Sequence, residues 1–282
     1  MNVLILVYKH KRLIMTIEKK YQAIAPETQH FKQEAFTSIE HTEIRWLGNS
    51  SHLINSRGTC IMVDPLLKGF DMPLLRETPI LPEEVPHLDA ILITHDDNDH
   101  LSKPTIEILK DVTDEFHAPH FVSSILESEG CKSFGHSIGD EFEIKNVSVK
   151  LTPADHAWKN GIVKYNRTYA FEDYCGFWID TPDGSIWAIG DSRLLPEQLN
   201  MPQADVIFFD FSDSSWHIGF DNAVKLANTY PKSELLCCHW GTVDAPDMTP
   251  FNGDPKNLMD KVVNPERIRV IAPGEVYRLI KK

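Results

Sequence analysis

Residues 88–100, LDAILITHDDNDH, constrain the fold more than any other part of the 282-residue sequence. The first half is a continuous apolar run with β-branched residues, which is typical of a strand covered on both faces. The second half places five potential cation ligands within six positions: His95, Asp96, Asp97, Asp99 and His100. A solvated surface would not follow an apolar strand so abruptly. The pattern therefore predicts a buried strand that ends at a metal site.

Other candidate ligands also end predicted core strands. His156 ends VSVKLTPADH, Asp191 ends SIWAIGD and His239 ends ELLCCH. Strand ends are where a sheet protein opens into loops and builds its sites. Capping or turn formation would explain one such residue, but not four strand ends that all carry His or Asp. Imidazole and carboxylate together suit Zn, Mn or Fe, and a set of this size suits two ions.

Composition excludes several classes of partner. The chain has 41 acidic and 28 basic side chains, a formal net charge of -13. This balance disfavours nucleic acid, whose phosphates need Lys and Arg, and it disfavours anionic membrane surfaces. No segment is apolar enough to cross a bilayer. Five cysteines without a C-x-x-C pair predict neither disulfides nor a zinc knuckle. A cytoplasmic protein without nucleic-acid or membrane partners is expected.

Short strands dominate the chain from about residue 43, and later strands alternate with helices. KPTIEILKDV and SILESEGCKSF predict helices, HFVSS predicts a strand, and DNAVKLANTY predicts a helix with Asp221 as its N-cap. Two stacked sheets with helices outside would account for this order. No Pro/Gly/Ser-rich linker divides residues 41–282, which are predicted to form one domain. Residues 1–40 are predicted to be an extension, a strand, a helix or an arm that serves a homo-oligomer.

Taken together, these motifs resemble the metallo-β-lactamase superfamily. Its signature is H-x-H-x-D-H, followed by a distant His, an Asp and a final His, and it is matched from His95 to His239 with one departure. The resemblance extends over residues 43–279. WLGNSSHLI, PADH, GDS and HWGT are similar to the branch that contains ascorbate-6-phosphate lactonase and N-acyl-phosphatidylethanolamine phospholipase D. The resemblance implies an α/β, four-layer αββα sandwich with two metal ions at one edge.

The resemblance also implies a role for each ligand. The first ion would be held by His95, Asp97 and His156. The second would be held by Asp99, His100 and His239. Asp191 would bridge the ions, and Asp99 would orient a metal-bridging hydroxide or carry a proton to the leaving group, so that both aspartates are catalytic. Such a hydroxide would hydrolyse a small ester, a lactone or a phosphate-bearing molecule.

The departure from the signature is Asp97, which stands where the family has His. A carboxylate adds negative charge and is a harder ligand, which favours Mn²⁺ or Fe²⁺ over Zn²⁺. Zinc could still fill the site, or Asp97 could weaken the first site and leave one ion. From an extended backbone, its neighbour Asp96 would point the other way. Two divalent ions are predicted, Zn or Mn before Fe, with their identity open.

The substrate side is less defined. Arg167, Lys159 and Lys164 lie between two predicted ligands and predict a subsite for phosphate or carboxylate, although ordinary ion pairs on a loop are equally open. Residues 212–220 would form a loop over the site, with Trp216 as its anchor. His217 and His136 are weaker candidates for the surroundings of the metals. The predicted partner is a small molecule, and an anionic group on it would fit these basic residues.

Two other functions stay open. Flavo-diiron proteins share this fold, carry a carboxylate at the position of Asp97 and reduce oxygen or nitric oxide. Their motif uses Glu there, and this sequence contains no flavodoxin domain to deliver electrons. A metal-binding protein without hydrolase activity is the other alternative, which seven intact candidate ligands disfavour. Among these functions, the sequence favours a metal-dependent hydrolase.

Overall fold

A computed structural model describes residues 4–9, 12–17 and 21–282. Its three α-helices are α1 (Lys103–Leu109), α2 (His120–Ser128) and α3 (Phe220–Thr229). Its strands are β1 (Leu4–Lys9), β2 (Arg12–Ile17), β3 (Thr42–Gly48), β4 (Ser51–Ser56), β5 (Thr59–Val63), β6 (Leu88–Leu92), β7 (Thr113–Pro119), β8 (Ser133–His136), β9 (Glu141–Ile144), β10 (Val147–Thr152), β11 (Val163–Lys164), β12 (Arg167–Thr168), β13 (Gly176–Thr181), β14 (Gly184–Ala188), β15 (Val206–Phe209), β16 (Glu234–Cys237), β17 (Ile268–Arg269) and β18 (Val276–Arg278).

Two seven-stranded sheets form the body of the fold. The first has the order β18-β3-β4-β5-β6-β7-β8, and the second has the order β17-β16-β15-β14-β13-β10-β9. Each sheet is antiparallel at one side and parallel at the other: β5 to β8 are parallel, as are β14 to β17. Parallel neighbours bring their carboxyl ends to one edge of a sheet, where ligand sites form. The predicted two-sheet αββα sandwich is confirmed.

Strand β6 is apolar at every position except Asp89, and its packing shows why. Ala90 and Leu92 belong to the core between the two sheets, whereas Ile91 and Ile93 belong to the cluster that packs against α1 and α2. Side chains alternate between the faces of a strand, so a strand with both faces covered needs apolar residues on both faces. The buried Asp89 is tolerated because its Oδ2 accepts a hydrogen bond from the backbone amide of Cys60 (2.7 Å). Each fully buried Leu or Ile side chain contributes about 1.5–3 kcal/mol to folding. The strand is thereby fixed, and the polar loop after it begins at a rigid point.

Two local predictions were wrong. HFVSS is not a strand but the first part of α2, because Val122, Ile125 and Leu126 recur at helical spacing and are all buried. The strand there is β7, whose sequence TDEFHAP lacks a clear apolar pattern and which was missed. The N-cap of α3 is Gly219 rather than Asp221, which lies in the first turn. In each case tertiary packing moved the boundary that local preference suggested.

The segment from residue 21 to residue 40 packs against the sandwich. Ala23 and Ala25 are buried in the core between the sheets, and the amide of Ala25 donates a hydrogen bond to the carbonyl of Gly241 (3.0 Å). Before it, β1 and β2 pair as an antiparallel hairpin. The domain division at residue 40 and the assembly arm stay predictions, and residues 1–3, 10–11 and 18–20 of that arm lie outside the described residues. None of the helices in the described ranges has the length and apolarity to span a membrane.

Candidate metal centre

Seven predicted ligands meet where loops from both sheets converge. The loop after β6 carries four of them, and the loops after β10, β14 and β16 carry one each. The donor atoms of His95, Asp97 and His156 lie within 4.8 Å of one another, and we call these three the first half-site. The donor atoms of Asp99, His100 and His239 do the same and form the second half-site.

Distances within each half-site are short enough for a shared cation. In the first, Oδ2 of Asp97 lies 3.1 Å from Nε2 of His156 and 3.4 Å from Nε2 of His95. In the second, Oδ2 of Asp99 lies 3.5 Å from Nε2 of His239 and 3.8 Å from Nε2 of His100. Each carboxylate oxygen thus faces two imidazole nitrogens across a gap.

Asp191 lies between the half-sites. Its Oδ2 is 3.2 Å from Nε2 of His100 and 3.6 Å from Nε2 of His239, both in the second half-site. Its carboxylate also groups with donor atoms of His95 and His156 in the first half-site. One carboxylate that reaches both sets is the arrangement a bridging ligand needs, so the position supports the predicted role.

The residues fit a pair of cations. The Nε2 atoms of His95, His100 and His239 are buried and make no hydrogen bond within the described chain, although each lies 3.2–3.8 Å from a carboxylate oxygen. Buried polar atoms are normally satisfied, and exceptions concentrate at functional sites. Three unsatisfied imidazole nitrogens beside carboxylates form a donor set suited to Zn²⁺, Mn²⁺ or Fe²⁺.

Neighbouring groups orient the second half-site from outside. Nδ1 of His100 lies 2.8 Å from Oδ2 of Asp64, and Nδ1 of His239 lies 3.2 Å from the carbonyl of Pro250. The side-chain amide of Asn49 donates to Oδ2 of Asp99 (3.1 Å). These contacts hold the imidazoles with Nε2 towards the centre. Asp64, Asn49 and His239 have φ values of 45°, 47° and 60°, and such left-handed backbone is strain that commonly marks functional sites.

Charged neighbours surround the first half-site. Lys159 lies in the short helical turn Ala157–Lys159 and is 4% exposed. Its ammonium donates to Oδ1 of Asp96 (2.7 Å) and to Oδ1 of Asp97. Asp96 further accepts from the Tyr169 hydroxyl and from Lys164 (3.2 Å). The carboxylate of Asp96 is therefore engaged by these three side chains and is not grouped with the candidate ligands, although the chain bends at Asp96 instead of staying extended.

The three basic residues predicted to bind substrate are all paired with carboxylates. Lys159 and Lys164 bond Asp96 as described, and Arg167 donates to Asp173 (2.7 Å) while its guanidinium lies 4.0 Å from the centroid of the Phe121 ring. Arg167 and Lys164 remain partly accessible, whereas Lys159 is buried. Their role in substrate binding stays a prediction.

His217 joins the centre more closely than the sequence suggested. Its Nε2 lies 3.0 Å from Oδ2 of Asp191, and its Nδ1 lies 2.7 Å from Oδ2 of Asp210. Asp210 was missed as a site residue, although it directly follows the apolar strand β15 and so repeats the pattern of a carboxylate at a strand end. His136, by contrast, pairs with His117 (2.9 Å), which is not among the predicted ligands.

In the metal-free centre, the aspartates shift the pKa values of the neighbouring histidines. Burial alone would lower the pKa of His100, but the carboxylates of Asp191 and Asp99 raise it well above its ordinary value. Burial likewise opposes protonation of His217, and Asp191 and Asp210 raise its pKa well above the usual range. The imidazoles nearest to Asp191 therefore hold protons that a cation would have to replace.

An aromatic cleft opens onto the centre. It encloses about 420 Å³. Its base is lined by Asp97, Asp99, His156, Asp191 and His217 together with the buried Pro250 and Phe251, and its mouth is lined by Phe70, Asp71, Met72, Asn98, Trp158, Trp216 and Met248. Trp158 and Trp216 are 42% and 44% exposed and stack with their ring centroids 5.2 Å apart. Within the described chain, no lysine or arginine lines this cleft.

One of these tryptophans also contacts a ligand. The indole N–H of Trp158 donates to Nε2 of His156 (2.7 Å), the same atom that lies 3.1 Å from Asp97. The lone pair on that nitrogen can serve the indole or a cation, but not both at once. The first half-site is therefore covered by a side chain of the cleft.

Comparisons with known proteins agree with this architecture. A family model described as "Beta-lactamase superfamily domain" matches residues 59–240. A UPF0173 metal-dependent hydrolase from Bacillus cereus strain AH187 is 25% identical over 213 residues, which cover 74% of this chain and 90% of the relative. The structure of Igni18, a metallo hydrolase from Ignicoccus hospitalis, superposes with a TM-score of 0.67 at 20% identity, covering 86% of this chain and 99% of Igni18. CmlA, a diiron β-hydroxylase from Streptomyces venezuelae, has a TM-score of 0.63 at 15% identity, over 86% of this chain and 55% of CmlA.

The family model covers well over half of the chain, and the curated relative carries the hydrolase description over most of its own length. The two solved structures show the shared fold. The branch suggested by WLGNSSHLI and HWGT stays a prediction. The chain belongs to the metallo-β-lactamase superfamily and is a metal-dependent hydrolase.

Proposed function

We propose that the protein hydrolyses a small, uncharged ester or lactone that carries an apolar group, with two divalent ions at the half-sites. The observation that carries this proposal is the aromatic cleft, which opens directly onto the candidate ligands and has no basic side chain in its described lining. Ligand sites are mostly apolar concavities with a few convergent polar groups. A cleft of about 420 Å³ is suited to a small molecule.

The charged side chains in and near the cleft favour an uncharged substrate over a phosphate-bearing one. Every basic side chain predicted for substrate binding is already paired with a carboxylate. The cleft itself exposes Asp71 near the mouth and three aspartates at the base. An anionic group would meet these carboxylates without an Arg or Lys to compensate, whereas aromatic faces favour contact with apolar groups. The phosphate-bearing alternative therefore has the weaker support.

When bound, two divalent ions supply Lewis acidity and lower the pKa of a water molecule. Asp191 would be shared by both half-sites. Asp99, whose Oδ2 faces His100 and His239 and accepts from the side-chain amide of Asn49, would accept or pass on a proton at its other oxygen, Oδ1. His217 reaches the base of the cleft with Nε2 near Asp191, while Asp210 fixes its other nitrogen. That geometry suits His217 to deliver a proton to the leaving alkoxide. Trp158 and Trp216 would position the apolar group and exclude water.

Metal identity belongs to the proposal. The donor set of six imidazole and carboxylate groups around Asp191 suits Zn or Mn, with Fe as a third candidate. Elemental analysis of protein purified without added metal should find about two ions per chain, as a binuclear site requires. Fewer than one ion after reconstitution with each metal would contradict the two-ion centre.

The substrate class can be tested with matched substrates. We expect the ion-loaded protein to hydrolyse neutral aryl esters and lactones with a higher kcat/KM than phosphate esters of the same alcohols. Trp216→Ala should lower kcat/KM for the aryl esters about tenfold, the worth of one aromatic contact. Phe134→Ala, a change at an exposed aromatic residue on β8, is the control and should have no effect. Faster hydrolysis of the phosphate esters, or an unaltered Trp216→Ala variant, would overturn the proposed substrate.

A further inference from the structure

Lys159 is a buried cation beside the one residue that departs from the family signature. It lies three positions after His156 and is 4% exposed. Burying an ammonium is costly unless the charge is paired and hydrogen-bonded. Here both requirements are met, because Nζ bonds Oδ1 of Asp96 and Oδ1 of Asp97. The ammonium also lies over the Tyr169 ring, with Nζ 4.4 Å from the ring centroid.

The two oxygens of Asp97 have different partners. Oδ1 bonds Lys159, whereas Oδ2 faces Nε2 of His95 at 3.4 Å and Nε2 of His156 at 3.1 Å. One oxygen is thus engaged by the lysine, and the other is directed to the place that a first ion would share. A carboxylate held in this way offers a cation a single oxygen, as an imidazole offers a single nitrogen.

The charges around Lys159 and Asp97 sum to zero. The family signature places a neutral imidazole where Asp97 adds one negative charge, and Lys159 adds one positive charge. Asp96 contributes a second negative charge, and Lys164 bonds it at 3.2 Å. The cluster of Asp96, Asp97, Lys159 and Lys164 is therefore neutral. With Lys159 counted, the net charge of Asp97, Asp99 and Asp191 is the same as in a signature site with a third histidine in place of Asp97.

We propose that Lys159 is a positioning residue that makes Asp97 equivalent, towards the first ion, to the histidine of the family signature. It cancels the added charge and holds the carboxylate by Oδ1. The lysine then belongs to the metal centre and not to the substrate subsite. The pair also removes the preference for Mn²⁺ or Fe²⁺ over Zn²⁺ that an unpaired carboxylate would bring. The inference rests on the proposed two-ion centre but not on the substrate class.

The test compares four proteins: the natural chain, Asp97→His, Lys159→Met and the double variant. Each is stripped of metal and titrated with Zn²⁺ and with Mn²⁺ against a competing chelator, and bound ions are counted by elemental analysis. Asp97→His should bind the first ion about 10–100-fold more weakly, because Lys159 then repels a dication without compensation. Adding Lys159→Met should restore the affinity to within about threefold of the natural chain. Lys159→Met alone should shift the ratio of affinities towards Mn²⁺.

Two controls separate this role from a structural one. Lys159→Arg keeps the charge and should keep the affinity, and Lys164→Met removes an exposed cation from Asp96 and should change it by no more than about fivefold. Circular dichroism and thermal unfolding check that each variant is folded. If Lys159→Met alone does not fold, the other three proteins still decide the outcome.

Equal affinities for Asp97→His and the double variant would overturn the inference. So would a single ion in the natural chain with a second ion gained in Lys159→Met, since the ammonium would then occupy the place of the first ion. Because the readout is metal binding, a failure of the proposed ester or lactone substrate leaves this result unaffected. A failure of the two-ion centre itself would instead show as fewer than two ions in every one of the four proteins.

Discussion

The two half-sites use similar ligands but are supported in different ways. In the second, Asp64, the carbonyl of Pro250 and Asn49 hold the ligands from outside, and left-handed backbone at three positions fixes the loops. In the first, side chains contact the ligands: Lys159 bonds the carboxylate of Asp97, the Trp158 indole bonds Nε2 of His156, and the Thr94 hydroxyl lies 2.9 Å from Nδ1 of His95. The support of the second half-site includes a main-chain carbonyl and left-handed backbone in addition to side chains, whereas the contacts just described at the first all come from side chains. The first half-site is also the one that contains Asp97, the departure from the family signature.

Protonation separates the half-sites as well. Burial is the main cause that lowers the pKa of His156 in the first half-site. In the second, burial also opposes protonation, but Asp191 raises the pKa of both His100 and His239 above the ordinary value of 6.5. In the metal-free protein the first half-site is thus closer to its ion-binding form near neutral pH. The second must release protons before it can bind.

The largest expected effect removes the residue common to both half-sites. Asp191→Asn should reduce the ion content from about two per chain to below one and lower hydrolysis roughly 10³-fold, because a carboxylate shared by both ions is lost. Asp71→Asn, a cleft residue that is not a candidate ligand, should keep both ions. Two retained ions in Asp191→Asn would show that each half-site binds without it.

A smaller change tests whether the half-sites are independent. Asp64→Asn removes the charge that orients His100. The affinity of the second half-site for its ion should fall about 10–100-fold, while the affinity of the first half-site stays the same. Asp210→Asn, which contacts His217 instead, is the matched control and should leave both affinities in place. Equal weakening of both ions in Asp64→Asn would mean that the centre loads as one unit.

A pH titration sharpens the difference in protonation. The affinity of the second half-site should rise about tenfold per pH unit for each proton displaced, up to the raised pKa of its histidines, whereas the first should be nearly flat above about pH 6.5. Proton release on adding Zn²⁺ to weakly buffered protein measures this directly. Ions that bind at both half-sites without proton release at pH 7 would contradict the assignment.

The same groups set the stability of the metal-free protein. His100 has a raised pKa, so its contribution is fully present below 6.5 and is lost as the pH rises through the folded-state value. Burial opposes ionisation of Asp191, but His100 and His217 lower its pKa, so its contribution is present above 3.8 and is lost as the pH falls through the lowered value. The contribution of this pair should therefore be largest between about pH 4 and 6.5, so thermal unfolding of the metal-free natural chain and of His100→Gln should differ most in that range.

The smallest expected effect concerns the indole over the first half-site. Trp158→Phe keeps an aromatic ring but removes the N–H that bonds Nε2 of His156. One hydrogen bond contributes about 1 kcal/mol, so the first ion should bind about threefold to tenfold more tightly. The second ion should be unaffected. Weaker binding of the first ion would mean that the indole supports the imidazole as a ligand instead of competing for it.

Much of the centre could be predicted because its ligands obey a local rule. Four ligands follow one apolar strand directly, and His156, Asp191 and His239 follow three others, so the sequence shows each ligand at the end of an element. Sheet topology then brings those ends together. The fold was predictable for the same reason, since runs such as LDAILIT require cover on both faces. Strand β7 was missed because TDEFHAP contains too few apolar residues to show a strand pattern.

The surroundings of the centre could not be predicted because they depend on contacts between distant residues. Lys159 bonds Asp97 across 62 positions, and nothing in the sequence near either residue indicates that pairing. The same holds for Asp210, whose contact with His217 depends on how the loop after β15 turns. A basic stretch after a ligand is consistent with substrate binding or with internal ion pairs, and only the packing separates the two.

The origin of the ligands in both sheets has a consequence for how the protein matures. Residues 95–100 follow β6 of the first sheet, whereas His156 and His239 follow strands of the second. Neither sheet can complete a half-site alone, so ions bind firmly only after the sheets have docked. Ions at 100 times their Kd would then stabilise the native chain by about 2.7 kcal/mol per site. The metal content of a preparation therefore reports the fraction of its molecules that have finished folding.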